Sequence, residues 1–453
     1  MIFKRKVYNK LIEWKQNEKG KSALLIEGAR RIGKSTVVEE FAKNNYKSYV
    51  LIDFSNTTDR IKNIFYNSLD NLNNFFMILS VEKEVKLYER ETLIIFDEVQ
   101  KFPRAREAIK HLVKDGRYDY IETGSLISIK ENVKDILIPS EESKLTMYPM
   151  DFEEFASALN EELIIPYIKE CFETKVPLLE PLHEKAMLLF KEYMIVGGMP
   201  QAVSAFIDER KQLSRCSEEK RKILSMYRDD ILKIDNAYQS KVLSIYDQIP
   251  SYLSSHEKRV KINSIDSSNN GIIYEETFFW LSNSMICNEC FATSDPNVGL
   301  SLTESRKFIK CYLSDTGLLL AHTFKDNIRN INNVYRALLN DKLSINKGMF
   351  FENIVAQMLT ANGHKLYFYN HYSEEKHRND IEIDFIITTG DRASNKIIPI
   401  EVKSSKNYNT PSLIKFIKKY SKRIEKAYII HPKNLSIRED GIICIPVYMT
   451  FCL

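Results

Sequence analysis

The chain has 453 residues, 44% of them hydrophobic and 28% charged, with a formal net charge of +4 at pH 7; that length suggests about three domains of ordinary size, and the composition is that of a soluble globular protein. No apolar run approaches the roughly 18 residues of a membrane span, the opening Met-Ile-Phe-Lys-Arg-Lys lacks the apolar core of a secretory signal, and seven scattered cysteines argue against a disulfide framework. We therefore expect a cytoplasmic protein with no membrane partner, whose small net charge permits nucleic-acid contact without arguing for it.

In chain order, residues 1–20 suggest a short helix carrying Leu11, Ile12 and Trp14 on one side. The apolar run 23–26 then reads as a buried strand leading into residues 28–36, Gly-Ala-Arg-Arg-Ile-Gly-Lys-Ser-Thr. With Gly28, Gly33, Lys34 and Ser35 at the fixed places, this is the phosphate-binding loop pattern, followed by a helix with apolar Val37, Val38, Phe41 and Ala42. Glycines let successive backbone N–H groups face one anion, and the helix N-terminus adds its positive end. The expected nucleotide site is Gly28, Ala29, Arg30, Arg31, Ile32, Gly33, Lys34, Ser35 and Thr36, with Lys34 on the β- and γ-phosphates and the Ser35 hydroxyl on Mg²⁺. A nucleoside triphosphate, expected as ATP, is the ligand.

Strands at 49–53, 92–96, 118–122 and 144–147 alternate with helices, which implies a parallel sheet covered on both faces. Ligands in such sheets lie at the carboxyl ends of the strands. That rule gathers the loop, Asp97-Glu98 and Thr123-Gly124-Ser125 on one rim. Asp97, ending an apolar strand, is the expected magnesium ligand, and Glu98 is placed to orient or deprotonate the attacking water. Thr123 and Ser125 are weaker candidates for sensing the γ-phosphate. Arg104, Arg106 and Arg117 all stand as candidate arginine fingers.

Residues 156–225 read as helical, interrupted at 196–200 by Val-Gly-Gly-Met-Pro, a sharp bend expected to act as a hinge or lid. Between 226 and 325, helices give way to a hairpin with strands near 285–287 and 308–313, the makings of a winged-helix module with a recognition-type helix at 274–281. Its basic residues, Lys258, Arg259, Lys261, Arg306, Lys307 and Lys310, make DNA contact an expectation that protein–protein packing rivals. Cys287 and Cys290 have ligand-like spacing but no second pair to complete a zinc site, and read as buried thiols.

From about 330 a helix bearing Glu352 precedes strands at 366–369, 381–387 and 397–403, a helix at 412–420 and strands at 428–430 and 442–445. Alternation puts Glu401 and Lys403 on one strand face, which Asp384 of a neighbouring strand can share. Two converging carboxylates, Asp384 and Glu401, make an oxygen site for Mg²⁺, and a lysine beside them can activate water for phosphodiester hydrolysis.

With these residues in hand, the chain resembles a family of bacterial and archaeal ATPases that join an AAA+-like P-loop domain to a C-terminal domain of unknown function. The matching stretches are 28–35, Phe-Asp-Glu-Val-Gln at 96–100, 123–125, Gly-Met-Pro at 198–200, Leu-Ser-Asp-Thr-Gly-Leu at 313–318, Gly-Met-Phe-Phe-Glu at 348–352 and Pro-Ile-Glu-Val-Lys at 399–403. The resemblance implies a C-terminal domain similar to PD-(D/E)XK nucleases, with Glu352, Asp384, Glu401 and Lys403 as its site residues. The expected fold is α/β: a P-loop ATPase sheet over 1–155, a helical lid or linker over 156–225, a winged-helix-like part over 226–328 and a restriction-endonuclease-like domain over 329–453. Three functions stay open. The first is an ATP-hydrolysing switch coupled to the nuclease-like domain, acting on DNA. The others are a metal-dependent DNA endonuclease regulated by ATP, and a nucleotide-gated module holding a protein partner or a second copy.

Overall fold

The computed structural model describes residues 1–125, 139–209, 211–234, 236–255, 260–261, 278, 280–297, 299–325, 331–340, 342, 347–373, 378–388 and 396–453. They fall into two compact units, one of residues 1–148 with 283–285 and one of the remainder.

The first unit runs α1 (Lys6–Glu18), β1 (Ala23–Glu27), α2 (Lys34–Asn45), β2 (Ser48–Asp53), α3 (Asp59–Asn67), α4 (Leu72–Glu82), β3 (Thr92–Asp97), α5 (Pro103–Asp115), β4 (Asp119–Gly124) and β5 (Glu142–Thr146). The five strands pair in parallel in the order β2-β3-β4-β1-β5. Every residue of β1, β3 and β4 is buried, because parallel strands are covered on both faces. One face meets α3, α4 and α5 through a core that includes Leu25, Ile52, Phe65, Phe75, Phe96 and Ile109. Phe65 sits with ring centroids 5.2–5.8 Å from Phe54, Phe75, Phe96 and Phe102, edge-on as ring quadrupoles favour. Pro103 pre-sets the first turn of α5, and left-handed Gly116 ends it. From β1 to β4 strands and helices therefore alternate as the sequence implies, and the phosphate loop, Asp97 and Gly124 lie at the carboxyl ends of β1, β3 and β4.

The second unit opens with helices α6 (Phe152–Ala158), α7 (Ile164–Thr174), α8 (Glu180–Val196), α9 (Pro200–Asp208), α10 (Ser214–Ile231) and α11 (Asn236–Ser254). Then come β6 (Val260–Lys261), β7 (Cys287–Thr293), β8 (Glu304–Leu313), α12 (Thr316–Thr323), α13 (Ile331–Leu339), α14 (Lys347–Ala361), β9 (Leu366–Ser373), β10 (Arg378–Thr388), β11 (Ile397–Val402), α15 (Pro411–Lys419), β12 (Tyr428–His431), β13 (Ser436–Ile437) and β14 (Ile443–Pro446). Its strands among the described residues form one mixed sheet, β13-β14-β12-β11-β10-β9-β7-β8-β6. The order α14-β9-β10-β11-α15-β12 is the one read from the sequence.

Three features of this unit differ from expectation. The β7–β8 hairpin does not stand apart as a wing: β7 pairs in parallel with β9, Phe291 beside Tyr367, which builds the hairpin into the C-terminal sheet. The recognition-type helix lies mostly outside the described residues, as do Lys258 and Arg259. Lys310, expected on a DNA-contacting surface, is fully buried.

The third concerns the bend at 196–200, expected as a hinge or lid, which is packed tightly against Asp315 and the Met150 backbone. Gly197 has φ +84°, and a Cβ there would lie 2.2 Å from Asp315 Oδ1; one on Gly198 would lie 2.0 Å from the Met150 carbonyl. The Gly198 N–H donates to Asp315 Oδ2 at 2.5 Å, while Asp315 Oδ1 caps α12 at the Leu318 N–H. Lys220, also fully buried, donates to the Ile195 carbonyl at 2.7 Å and the Tyr335 hydroxyl at 3.0 Å. The two glycines serve close approach of backbone segments, which any side chain would forbid.

Candidate functional sites

The loop after β1 is shaped by two left-handed residues, Arg31 (φ +68°) and Gly33 (φ +92°), the latter preceding α2. Backbone turns of this kind aim successive N–H groups at one anion. Gly28 has to be glycine: a Cβ would come within 2.5 Å of both Ile32 Cδ1 and the Met147 carbonyl. Ala29 and Ile32 are buried, so their part is packing, while Arg31 and Thr36 are exposed. Arg5, which the sequence did not single out, braces the loop by donating to the carbonyls of Ile32 and Tyr148, both at 2.7 Å.

Lys34 is 6% exposed and folds back to donate to the carbonyls of Gly28 (3.0 Å) and Ala29 (2.9 Å). Burial lowers its ammonium to about 8, against the pull of Glu98 and Asp97. Ser35 Oγ donates to Asp97 Oδ1 at 2.7 Å, and Thr123 Oγ1 donates to the same oxygen. The three elements expected on one rim therefore converge on a single carboxylate. Glu98 follows in the left-handed region (φ +53°), a backbone strain of about 1–2 kcal/mol for a side chain that is not glycine. The Gln100 amide donates to Glu98 Oε2, and the Glu98 N–H reaches Thr123 Oγ1 at 3.4 Å. Ser125, 5% exposed, ends the described part of this rim.

The arginine candidates separate. Arg106 is 1% exposed and makes a two-bond ion pair with Glu142 at 2.8 Å, which removes it from any partner's reach. Arg117 is engaged by both oxygens of Asp115 and by Asn73. Arg104, paired with Glu107 across an exposed helix turn, keeps the freest guanidinium of the three.

The second constellation lies on the nine-stranded sheet. β10 and β11 are antiparallel with Phe385 opposite Ile400, so Asp384 and Glu401 are neighbours across the pair. The register of β10 on β9 shifts between Ile383 and Ile386, an irregularity that re-aims Asp384. Asp384 Oδ2 accepts from the Val402 N–H at 2.8 Å, and Lys403 Nζ donates to Glu401 Oε1 at 2.7 Å. Glu401 is 7% exposed, and burial, then the nearby Asp384 charge, push it up to about 7 while Lys403 opposes. Glu352 of α14 adds to that field and accepts from the Tyr312 hydroxyl at 3.2 Å. The four residues expected as a nuclease-type site, Glu352, Asp384, Glu401 and Lys403, thus lie in one neighbourhood.

Two residues of β8 join them that the sequence assigned elsewhere. Lys310 Nζ lies 4.0 Å from Asp384 Oδ1, and Tyr312, two residues on, shares its strand face. The signal was present: a lysine inside the apolar run 308–313 is costly unless something answers its charge. Cys290, opposite Lys310, is buried and its thiol is pushed up by burial, in keeping with an inert core role. Among the described residues no three His, Cys, Asp or Glu side chains close on one point as a ready metal cage. Glu401 Oε2 is nevertheless buried without a hydrogen-bond partner, and Asp384 Oδ1 faces the Lys310 ammonium at 4.0 Å, so two carboxylate oxygens are compatible with a cation.

Residues 20–156 match the family of AAA domains (AAA_14). They form an AAA-type P-loop domain. Residues 187–329 and 347–450 of the same chain match two domains of unknown function, DUF8612 and DUF4143. The AAA domain thus precedes regions whose families carry no assigned activity. No curated protein matches the chain. Among solved structures, C. elegans PCH-2 is 14% identical over 35% of this chain and 44% of its own, with a TM-score of 0.18. CDC6P from Pyrobaculum aerophilum is 9% identical over 74% of this chain and 94% of its own, TM-score 0.27. A DNA replication initiation factor is 11% identical over 75% and 95%, TM-score 0.24. Scores of this size carry no inference about function. No helix among the described residues is long and apolar enough to cross a membrane.

Proposed function

We propose that this chain is an ATP-hydrolysing switch whose AAA domain governs a nuclease-like C-terminal region acting on DNA. The observation that carries the first half is the convergence of Ser35 Oγ and Thr123 Oγ1 on Asp97 Oδ1, beside the glycine cradle and Lys34. Ser35 and Asp97 would hold Mg²⁺, which neutralises charge on the β- and γ-phosphate oxygens. Lys34 exchanges its two loop carbonyls for phosphate oxygens. Glu98, fixed by Gln100, orients the attacking water and takes its proton. Lys34→Ala should abolish binding of a fluorescent ATP analogue, and Glu98→Gln should bind it normally while losing about 10²–10⁴-fold in turnover. Wild-type hydrolysis by Glu98→Gln would remove Glu98 from this role.

The second half of the reading rests on Asp384 and Glu401 lying opposite each other on paired strands, with Lys403 bonded to Glu401 and the Glu352 charge of α14 felt there. There Lys403 would position water and Asp384 with Glu401 would hold a divalent ion, the arrangement that metal-assisted phosphodiester hydrolysis uses. Plasmid and branched DNA with Mg²⁺ or Mn²⁺ should be cut by the wild type and spared by Asp384→Ala and Lys403→Ala. Cutting that survives both changes belongs to another site.

A further inference from the structure

The carboxylate centre has a built-in cation that its nuclease-type motif does not contain. Lys310 is fully buried, its Nζ makes no hydrogen bond, and it points at Asp384 Oδ1 from 4.0 Å. The Phe368 ring centroid lies 5.0 Å away, a face that favours a positive charge. A phosphodiester cannot reach an ammonium with no exposed surface, so substrate binding does not explain it. A lysine that served only packing would be better replaced by an apolar residue, because an uncompensated buried charge is costly. What does explain it is the charge it faces: Asp384 beside Glu401, with Glu352 close enough to be felt. Lys403 answers Glu401 Oε1 alone. Lys310 comes from β8, in the region matched by DUF8612, while Asp384 and Glu401 lie in the region matched by DUF4143.

We propose that Lys310 holds, beside Asp384, the positive charge that a divalent ion would otherwise supply, so that the centre is closed on itself at rest and takes up metal only weakly. This rests on the nuclease-type reading of Asp384 and Glu401. It makes β8 part of the centre and Lys310 the residue that sets its metal affinity. Two like charges confined near one carboxylate repel steeply at low effective dielectric, so the ammonium and a metal ion compete.

The test is Mn²⁺ binding to the full chain without nucleotide, followed by electron paramagnetic resonance and by the metal-dependent rise in melting temperature. Lys310→Met should bind Mn²⁺ at least tenfold more tightly than wild type, and adding Asp384→Ala should erase the gain. Lys310→Arg, which keeps the charge, should resemble the wild type, an outcome that loss of packing alone would not produce. If wild type and Lys310→Met bind with equal affinity, and Asp384→Ala abolishes both, the role of Lys310 is refuted while the metal site stands. If no variant binds at a site sensitive to Asp384→Ala, the proposal fails together with the nuclease-type reading. A Lys310→Met protein that is unfolded even with Mn²⁺ present would also overturn it, since metal is expected to restore what the lysine provided.

Discussion

Replacing Asp97 by alanine tests the nucleotide site before any nucleotide is added. The carboxylate is 9% exposed and one of its oxygens accepts from both Ser35 and Thr123. Hydrogen bonds to a charged acceptor are worth about 1.5–3 kcal/mol each, and the pair shares one oxygen, so their sum is less than twice that. Buried Lys34 also loses one of the two negative charges that offset its desolvation. Together these give a loss of about 3–5 kcal/mol in the AAA domain. At roughly 2–4 °C per kcal/mol for a unit of this size, its melting transition should fall by about 6–20 °C. Asp97→Asn keeps an acceptor oxygen for both hydroxyls and should recover most of that fall. Neither variant should bind an ATP analogue more tightly when Mg²⁺ is added. The measurement is differential scanning calorimetry on both variants, followed by the analogue titration with and without Mg²⁺. An Asp97→Ala transition within about 2 °C of wild type would mean that the shared acceptor is not formed in solution, and the placement of the metal between Ser35 and Asp97 would lose its support.

Other perturbations probe the second unit. Gly198→Ala puts a methyl group 2.0 Å from the Met150 carbonyl and disturbs the bond to Asp315, and should cost about 3 kcal/mol or more by thermal or urea unfolding. Gly441→Ala, whose Cβ would meet nothing within 4 Å, should cost only the roughly 1 kcal/mol of a left-handed backbone. Burial lowers His431 to about 4, where it meets the Tyr408 hydroxyl at 2.7 Å. Below pH 6.5 the unfolded chain takes up a proton that the folded chain refuses, so stability falls with pH from about 6.5 down to about 4. The loss at pH 5 relative to pH 7 is about 2 kcal/mol from this residue. His431→Gln should flatten that slope by this amount; an unchanged slope between pH 5 and 7 assigns the acid sensitivity elsewhere.

The AAA domain was legible because its signals are local. A glycine-bounded loop between an apolar run and an amphipathic helix, and an acid at the end of another apolar run, fix both the elements and the rim on which they meet. Glu401 and Lys403 were legible from alternation on one strand and Asp384 from its neighbour, whereas Glu352 joined them only through the resemblance to PD-(D/E)XK nucleases. What pattern could not reach was pairing between distant segments. Nothing in the run 287–293 says that its neighbour is β9, 73 residues beyond the end of β7 by chain number (293 to 366). Without that pairing, Lys310 reads as one more surface cation. The two glycines at 197–198 likewise look loose until Asp315, more than a hundred residues later, is seen bonded to one of them. Arg5 was missed because its partners are backbone carbonyls, which leave no mark in composition.

The pairing of β7 with β9 also decides how this protein can be taken apart. A fragment that begins near residue 330 would carry β9 with its long, half-apolar edge bare, and the complementary piece would carry β7 in the same condition. Such edges recruit any strand on offer, including those of other copies. Partners captured with either fragment would therefore report stickiness made by the cut, whereas one substituted side chain in the whole polypeptide leaves both edges stitched.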